Sequence, residues 1–321
     1  MEALDALVTM NEDEQLAGGK NEPGLFAPLK KKRRRPSGVV IVAGGWLLAL
    51  TILSAFAAQF PFIRTIEQFV KVRGKLQTNY KLGPGWTAWF GTDGVGKDVF
   101  AKCIYGAKVT LTIAFTSTVV GLVVGGFLGM VSGYFKGWVD RVVSICTDIL
   151  LAFPPLVLAL LAIYRLDDIK AKHPAFNWFS RTWQVTVVLS ILAIGPLTRI
   201  VRAQTLAISE REFVLSARSL GAKNRRILVR EVLPNLIPAM VSVAFTGIAV
   251  LIVAEGGLAF LGLSVQSPPT WGRLISDNYK RVDDAWWATF FPCMMLFITV
   301  LAFNLIGDRI ARKFDIREAA I

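Results

Sequence analysis

Histidine occurs once in the 321 residues and cysteine three times, at positions 103, 146 and 293. So few ligands leave little material for a structural zinc site, a His-dependent triad or a disulfide framework. Charge is also scarce. Only 18% of residues are Asp, Glu, Lys or Arg, against about 25% in soluble domains. A soluble enzyme, a Cys-stapled secreted domain and a disordered chain are all poor fits. No carboxylate pair or nucleophile–base set stands out. The chain is instead rich in apolar residues, at 54%, with a mean hydropathy of +0.51 and a formal charge of +13. A polytopic membrane protein reconciles these values, with its basic groups held in the aqueous segments.

A bilayer core of about 30 Å needs about 20 mostly apolar residues in a helix. Stretches free of Asp, Glu, Lys and Arg run from Pro36 to Ile63, Val109 to Phe135, Thr182 to Thr198, Leu236 to Ala254 and Ala285 to Gly307. Val142 to Tyr164 makes a sixth, interrupted only by Asp148. The expectation is an all-α protein with six transmembrane helices. Their Gly and Pro content suits membrane helices, where small residues allow close packing and neighbours re-satisfy the backbone.

The basic residues set the orientation. With an inside N-terminus, the inner segments 1–37, 134–141, 199–233 and 308–321 carry 21 Lys or Arg, against 15 in the outer segments 59–108, 165–183 and 263–285. This puts both termini in the cytoplasm. The first span has two readings. A basic stretch, an apolar run from Gly38 to Leu53 and Ala55-Phe56-Ala57 resemble a cleavable signal peptide that would leave Ala58 first. The long preceding region and the apolar sequence continuing to Ile63 favour a retained anchor. Residues 1–37 begin acidic, end basic and read as a mostly disordered tail. Residues 309–321 read as a short tail on the same side.

The segment Arg199 to Pro234 carries eight basic and three acidic residues. Ser209-Glu210-Arg211-Glu212 has capping-box spacing, with Ser209 as the cap. Phe213, Ala217 and Leu220 then share one helical face, and Gly221 falls where a left-handed C-cap would end the helix. A second amphipathic run, Ile227 to Leu233, stops at Pro234. The pattern predicts a short, capped surface helix held between two spans. Three readings remain open on these residues: a wet connecting loop, a helix lying on anionic lipid, and a helix that docks on a partner.

The run Glu212-Phe213-Val214-x-x-Ala217-Arg218-x-Leu220-Gly221-Ala222, followed by Ile227 and Leu233-Pro234-Asn235, resembles the EAA loop of ABC importer permeases, the dipeptide/oligopeptide/nickel group and its second permease subunit in particular. Further motifs resemble the same family: Gly91-Thr92-Asp93-x-x-Gly96-Lys97-Asp98-Val99, Gly133-Tyr134-Phe135-x-Gly137-Trp138-Val139-Asp140, Leu151-Ala152-Phe153-Pro154, and Ala254-Glu255-x-x-Leu258-x-Phe260-Leu261-Gly262-Leu263. With Ile104-Tyr105-Gly106-Ala107 and Ala302-Phe303-Asn304-Leu305-x-Gly307-Asp308, which resemble the family as well, they cover roughly residues 90–310.

The resemblance implies a type I importer permease domain over 106–308, preceded by a first helix and external segment at 38–105, in a bacterial or archaeal inner membrane. It implies half of a pore for peptides or a related solute, with a second permease, one or two P-loop ATPase subunits and an external substrate-binding lipoprotein as partners. The 199–234 loop would couple to the ATPase through Glu212, Phe213, Ala217, Leu220, Gly221 and Pro234. On this reading the chain is not an enzyme, holds no metal or cofactor and binds no nucleic acid; ATP and Mg sit on the partner subunits. The rival reading is an ion-coupled carrier or channel that works alone.

Three signals need weighing. Gly91 to Lys97 matches seven positions of a P-loop, but Asp98 stands where Ser or Thr should hold Mg²⁺. Nucleotide binding there is therefore rejected. Asp148 and Glu255 are acids within apolar spans, and such residues are expensive in lipid. Each is either one half of an interhelical hydrogen bond or ion pair, or part of a gate on the translocation path. The outer segments 64–90 and 165–183 are atypical for the family, and Trp86, Trp89, Trp178 and Trp183 suit an interfacial belt.

Overall fold

A segment surrounded by lipid must satisfy its backbone N–H and C=O groups internally, so a chain of long uncharged runs is driven to helix. The computed structural model describes residues 38–66, 68–72, 75–76 and 82–318. The expected tail at 1–37 lies outside the described residues, as do 319–321; the rest of the expected C-terminal tail, 309–318, is helical and continues the last helix.

Helix α1 (Gly38–Ala55) leads through a short turn to a two-residue antiparallel pair, β1 (Lys71–Val72) and β2 (Lys75–Leu76), with Lys71 opposite Leu76. Helices α2 (Val99–Phe135), α3 (Gly137–Ala152), α4 (Pro155–Lys172) and α5 (Arg181–Ser209) follow. Next come α6 (Glu212–Ser219), the short α7 (Asn224–Ile227) with a π turn at Leu228–Val232, and α8 (Leu233–Phe260). The chain closes with α9 (Trp271–Asn278), the one-turn α10 (Val282–Ala285) and α11 (Trp287–Glu318).

Among the described residues, five helical stretches are long and apolar enough to cross a membrane: Gly38–Ala55, Val99–Phe135, Arg181–Ser209, Asn224–Phe260 and Trp287–Lys313. The sixth expected span, Val142 to Tyr164, is not one straight helix. It is α3 and α4, bent by 89° between them. Pro154 and Pro155 cause the break: two N–H groups are missing, and residues before proline are pushed to extended backbone. Phe153 and Pro154 accordingly have ψ of 138° and 123°.

Other boundaries move because charge ends an uncharged run without ending a helix. α2 starts ten residues before Val109, where the Asp98 side chain accepts the Phe100 N–H (2.9 Å) as N-cap. α5 continues past Thr198 to Ser209, so Arg199 and Arg202 lie inside it.

The central contact is α2 against α5. Ser117, Gly121, Gly125, Gly129 and Gly133 recur every fourth residue of α2 and so share one face. A Cβ at Gly125 would lie 2.8 Å from the Ile194 carbonyl oxygen, one at Gly129 2.6 Å from that of Thr198, and one at Gly133 2.8 Å from that of Arg202. The absence of side chains lets the two backbones touch, the small-xxx-small solution to packing without a hydrophobic driving force. Around this seam, Ile113, Ile163, Leu189, Ile252 and Leu258 join α2, α4, α5 and α8 in one buried cluster.

The end of the molecule opposite the 199–234 loop is tied down by polar contacts. Asp98 also pairs with Arg64 (2.9 Å). Asp93 accepts the N–H groups of Val95 and Lys97 (2.9 Å each) and pairs with Lys102. The loop resembling a P-loop thus turns its amides onto its own carboxylate, where a phosphate would meet negative charge. Trp86, Trp89, Trp178 and Trp183 are all exposed. Of the cysteines, Cys103 is buried, Cys293 half-buried and Cys146 exposed on α3.

Candidate functional site: a capped hairpin and a polar cleft

The 199–234 segment forms a helical hairpin at one end of the bundle. Ser209 is not its cap. Nothing in Arg199–Ser209 breaks a helix, so α5 runs on, and the Ser209 hydroxyl donates to the Thr205 carbonyl (2.7 Å) as the last residue of α5. Arg211 occupies the N-cap of α6 without a side-chain capping bond, and Glu210 pairs with Lys136 (2.9 Å) at the α2–α3 turn. Glu212 is the first residue of α6, where a carboxylate faces the positive end of the helix dipole.

The C-terminus of α6 follows the expected pattern. Gly221 has φ of +77°, the Ala222 N–H donates to the Ala217 carbonyl (3.1 Å) and the Gly221 N–H to that of Arg218 (3.0 Å). This is a Schellman motif, and the left-handed residue at its centre favours glycine.

Pro234 does not end the second run. The helix passes through a π turn in which the Leu233 N–H reaches back five residues to the Leu228 carbonyl, and α8 continues to Phe260. The wider turn absorbs the missing Pro234 N–H and the clash its ring would make one turn earlier.

α6 seats itself by a different residue from those the spacing singled out. Val214 is fully buried with Ile227, Val232 and Leu236, and Ala217 packs beside them. Phe213 and Leu220 point away, Leu220 being 87% exposed. Beneath Leu220 and Gly221 lies a hollow of about 250 Å³ that also touches Ala217, Ala222, Arg226 and Glu231. Lys223, Arg225, Arg226 and Arg230 line an adjoining basic hollow. Arg218 covers the Tyr134 ring (5.6 Å), and Tyr134 donates to Asn224 Oδ1 (3.1 Å), fixing the hairpin to the end of α2. The arrangement presents apolar and basic side chains outward from a rigid base.

The two intramembrane acids part company. Asp148 Oδ1 meets Arg199 Nη2 at 2.5 Å, with both side chains more than half exposed. One coil lower, Arg202 grips Asp140 in a fork, Nε to Oδ1 at 2.5 Å and Nη2 to Oδ2 at 2.6 Å. Asp148, Arg199 and Arg202 line a cleft between α3 and α5. Glu255 is instead sealed at 1% exposure. It accepts the hydroxyls of Ser264 and of Thr270 (2.7 Å), which ties α8 to the N-terminus of α9. Gly272 allows that approach, since a Cβ there would stand 2.6 Å from the Gly256 Cα.

Arg199 and Arg202 read as loop charges from sequence alone. The signal for their role was available: Asp140, Ser144 and Asp148 share one face of a helix at i, i+4 and i+8, as two arginines three residues apart share one of theirs. Ser264 and Thr270, which hold Glu255, gave no comparable signal.

An all-helical bundle with five or six membrane-spanning elements and a protruding basic hairpin defines a multi-pass membrane protein whose loop is shaped for contact. The family model for "Binding-protein-dependent transport system inner membrane component" matches residues 107–318, and the chain belongs to that family. Among curated relatives, the dipeptide transport system permease protein DppC of Alkalihalophilus pseudofirmus is 30% identical over 291 residues, 90% of this chain and 88% of the relative. The glutathione transport system permease protein GsiD of Pectobacterium atrosepticum is 32% identical over 277 residues, 86% of each chain. Among solved structures, an inward-facing MetNI methionine ABC transporter chain superposes with a TM-score of 0.56 at 20% identity, over 66% of this chain and 96% of that one. The fold is that of an ABC importer permease.

Proposed function

We propose that the chain is one half of the translocation pore of an ATP-driven, binding-protein-dependent importer for peptides, with both termini in the cytoplasm. A second permease completes the pore, one or two P-loop ATPase subunits supply ATP and Mg chemistry, and an external binding protein delivers solute. The chain itself is non-catalytic. In this reading the 199–234 hairpin sits in a groove of an ATPase subunit: Phe213 and Leu220 enter it, Ala217 permits close approach, Gly221 sets the turn, and Glu212 and Pro234 shape its helices. Dipeptides and glutathione, named for the relatives, are both peptides with charged termini, which supports the solute class.

The observation that carries the proposal is the division of labour on α6. Val214 supplies its fully buried anchor, while the neighbouring apolar residues Phe213 and Leu220 are left exposed on a helix closed at its C-terminus by the Schellman bonds. ATP-driven closure of the ATPase pair would move the hairpin. It shifts the pore between states only because docking contacts differ between them; equal affinity for both states would shift nothing.

The test is purification of the chain from its native membrane followed by reconstitution. A second permease and P-loop ATPases should co-purify, and binding protein plus peptide should stimulate ATP hydrolysis. Solute movement by the polypeptide reconstituted alone would point instead to a carrier or channel and end this reading.

A further inference from the structure

The cleft between α3 and α5 carries charge where lipid would not tolerate it. Asp148 lies eleven residues beyond Gly137, and Arg199 ten before Ser209. At 1.5 Å rise per residue, both are about 15 Å up from the hairpin end of their helices. The Lys136–Glu210 pair keeps those two ends level. The side chains of Asp148 and Arg199 are 60% and 58% exposed in the chain by itself. An exposed ion pair this far along two membrane helices does not face hydrocarbon; such residues line water-filled paths or protein contacts.

The rest of α3 makes the same division. Asp140, Ser144, Thr147 and Asp148 form one polar stripe, whereas Val142, Ile145 and Ile149, each at least half exposed, form an apolar stripe on the other side. A helix with both stripes exposed separates two environments. Ser144, Thr147 and Asp148 of the polar stripe, with Val143 beside them and Thr198, Arg199 and Arg202 from α5, line about 340 Å³, space for a small solute portion rather than for a packed helix.

We infer that this cleft is a station on the translocation path that takes the charged termini of a zwitterionic peptide, the solute's carboxylate on Arg199 and its ammonium on Asp148. The chemistry is an exchange of partners. With no solute the two side chains neutralise each other at 2.5 Å. A zwitterion slips between them and replaces one ion pair by two, with no net charge left uncompensated at any point. Arg202 is a positioning residue here. Its fork on Asp140, completed by the Ser132 and Ser144 hydroxyls (2.5 and 3.5 Å), holds α3 and α5 at the spacing the cleft needs. The proposal rests on the importer reading above and names the pore-lining contact that reading lacks.

The test uses the complete reconstituted transporter with its binding protein, in a background without the three native cysteines. Ser144→Cys, on the polar stripe, should react with a charged, membrane-impermeant thiol reagent at least tenfold faster than Ile149→Cys on the apolar stripe. Asp148→Asn and Arg199→Gln should each lower dipeptide uptake per ATP hydrolysed by tenfold or more. In a complex that hydrolyses ATP normally, a Ser144→Cys as inert as Ile149→Cys, or one that cross-links to the second permease, makes the cleft a subunit interface and overturns the proposal. Uptake per ATP within twofold of the parent for both charge variants overturns it as well. If the unsubstituted complex shows no binding-protein-stimulated hydrolysis, the importer reading fails and takes this proposal with it.

Discussion

Gly221→Asp separates folding from coupling. Gly221 sits at φ +77°, and a Cβ built there meets nothing within 4 Å. A side chain therefore costs the fold only the left-handed backbone penalty, about 1–2 kcal/mol for an ordinary L-residue and less for Asp or Asn, which tolerate that region. The Schellman bonds from Ala222 and Gly221 use backbone atoms and survive. The new carboxylate, however, projects at the mouth of the hollow formed with Ala217, Leu220 and Arg226. If an ATPase subunit sits there, displacing it by even about 1.4 kcal/mol reduces productive docking tenfold. The expected result is a protein that inserts, melts within a few degrees of the parent and loses at least about tenfold in peptide uptake by membrane vesicles. Leu220→Ser should behave alike, because Leu220 contributes almost nothing to the fold at 87% exposure. Normal uptake by Gly221→Asp would refute the assignment of this turn to coupling. A large drop in melting temperature would refute the structural half of the argument.

Three further outcomes follow from packing. Gly129→Ala places a Cβ 2.6 Å from the Thr198 carbonyl oxygen and 2.9 Å from the Arg202 nitrogen, so α2 and α5 must part by roughly 1 Å to reach ordinary contact. Overpacking of this kind costs about 1–3 kcal/mol, and a melt in detergent indistinguishable from the parent would contradict the seam. Trp271→Phe removes the bond from the fully buried indole Nε1 to the Cys103 carbonyl (2.8 Å). It should cost about 1 kcal/mol for the bond and speed proteolysis in 261–285; unchanged cleavage kinetics would tell against the tie. Asp140→Ala strands the Arg202 guanidinium; since both groups are partly exposed, the loss should stay below the ~3–5 kcal/mol of a fully buried pair. Asp140→Ala/Arg202→Ala should recover part of it, and strict additivity in that double-mutant cycle would mean the fork contributes nothing.

The helices were legible because lipid-compatible runs announce themselves by the absence of charge, and Gly221 because a left-handed helix end has few occupants. What escaped the sequence was of two kinds. Boundaries shifted where a charged residue was read as the end of a span: Arg199 and Arg202 are helical, and the loop begins only at Glu210. Caps were misread for the same reason, since Ser209 serves as a cap only if α5 stops before it. Partnerships were the second kind. Periodicity shows that Phe213, Ala217 and Leu220 share a face, but not that Val214 would be the residue buried. Nor does any local pattern reveal that Glu255 is closed off by Ser264 and Thr270, residues beyond the end of its own helix.

The two sites are mechanically one. Arg199 and Arg202 of the cleft and Ser209 at the root of the hairpin belong to a single helix, with no proline, glycine or π turn between them. A hydrogen-bonded helix of that length transmits an axial displacement without much loss. On its inner side α5 packs closely on α2, with Thr198, Val201 and Thr205 set against Gly125, Gly129 and Gly133. On its outer side it is held to α3 by two charged contacts, Arg199–Asp148 and Arg202–Asp140. A shift of α5 by one residue's rise, about 1.5 Å, would disturb both the close-packed seam and the two charged contacts. Under the proposed function, motion of the hairpin is therefore opposed at the cleft as well as at the seam. A zwitterionic solute that takes over the charges of Arg199 and Asp148 would lower the cleft's share of that resistance, so the presence of cargo and the freedom of α5 to move would be coupled through those two side chains.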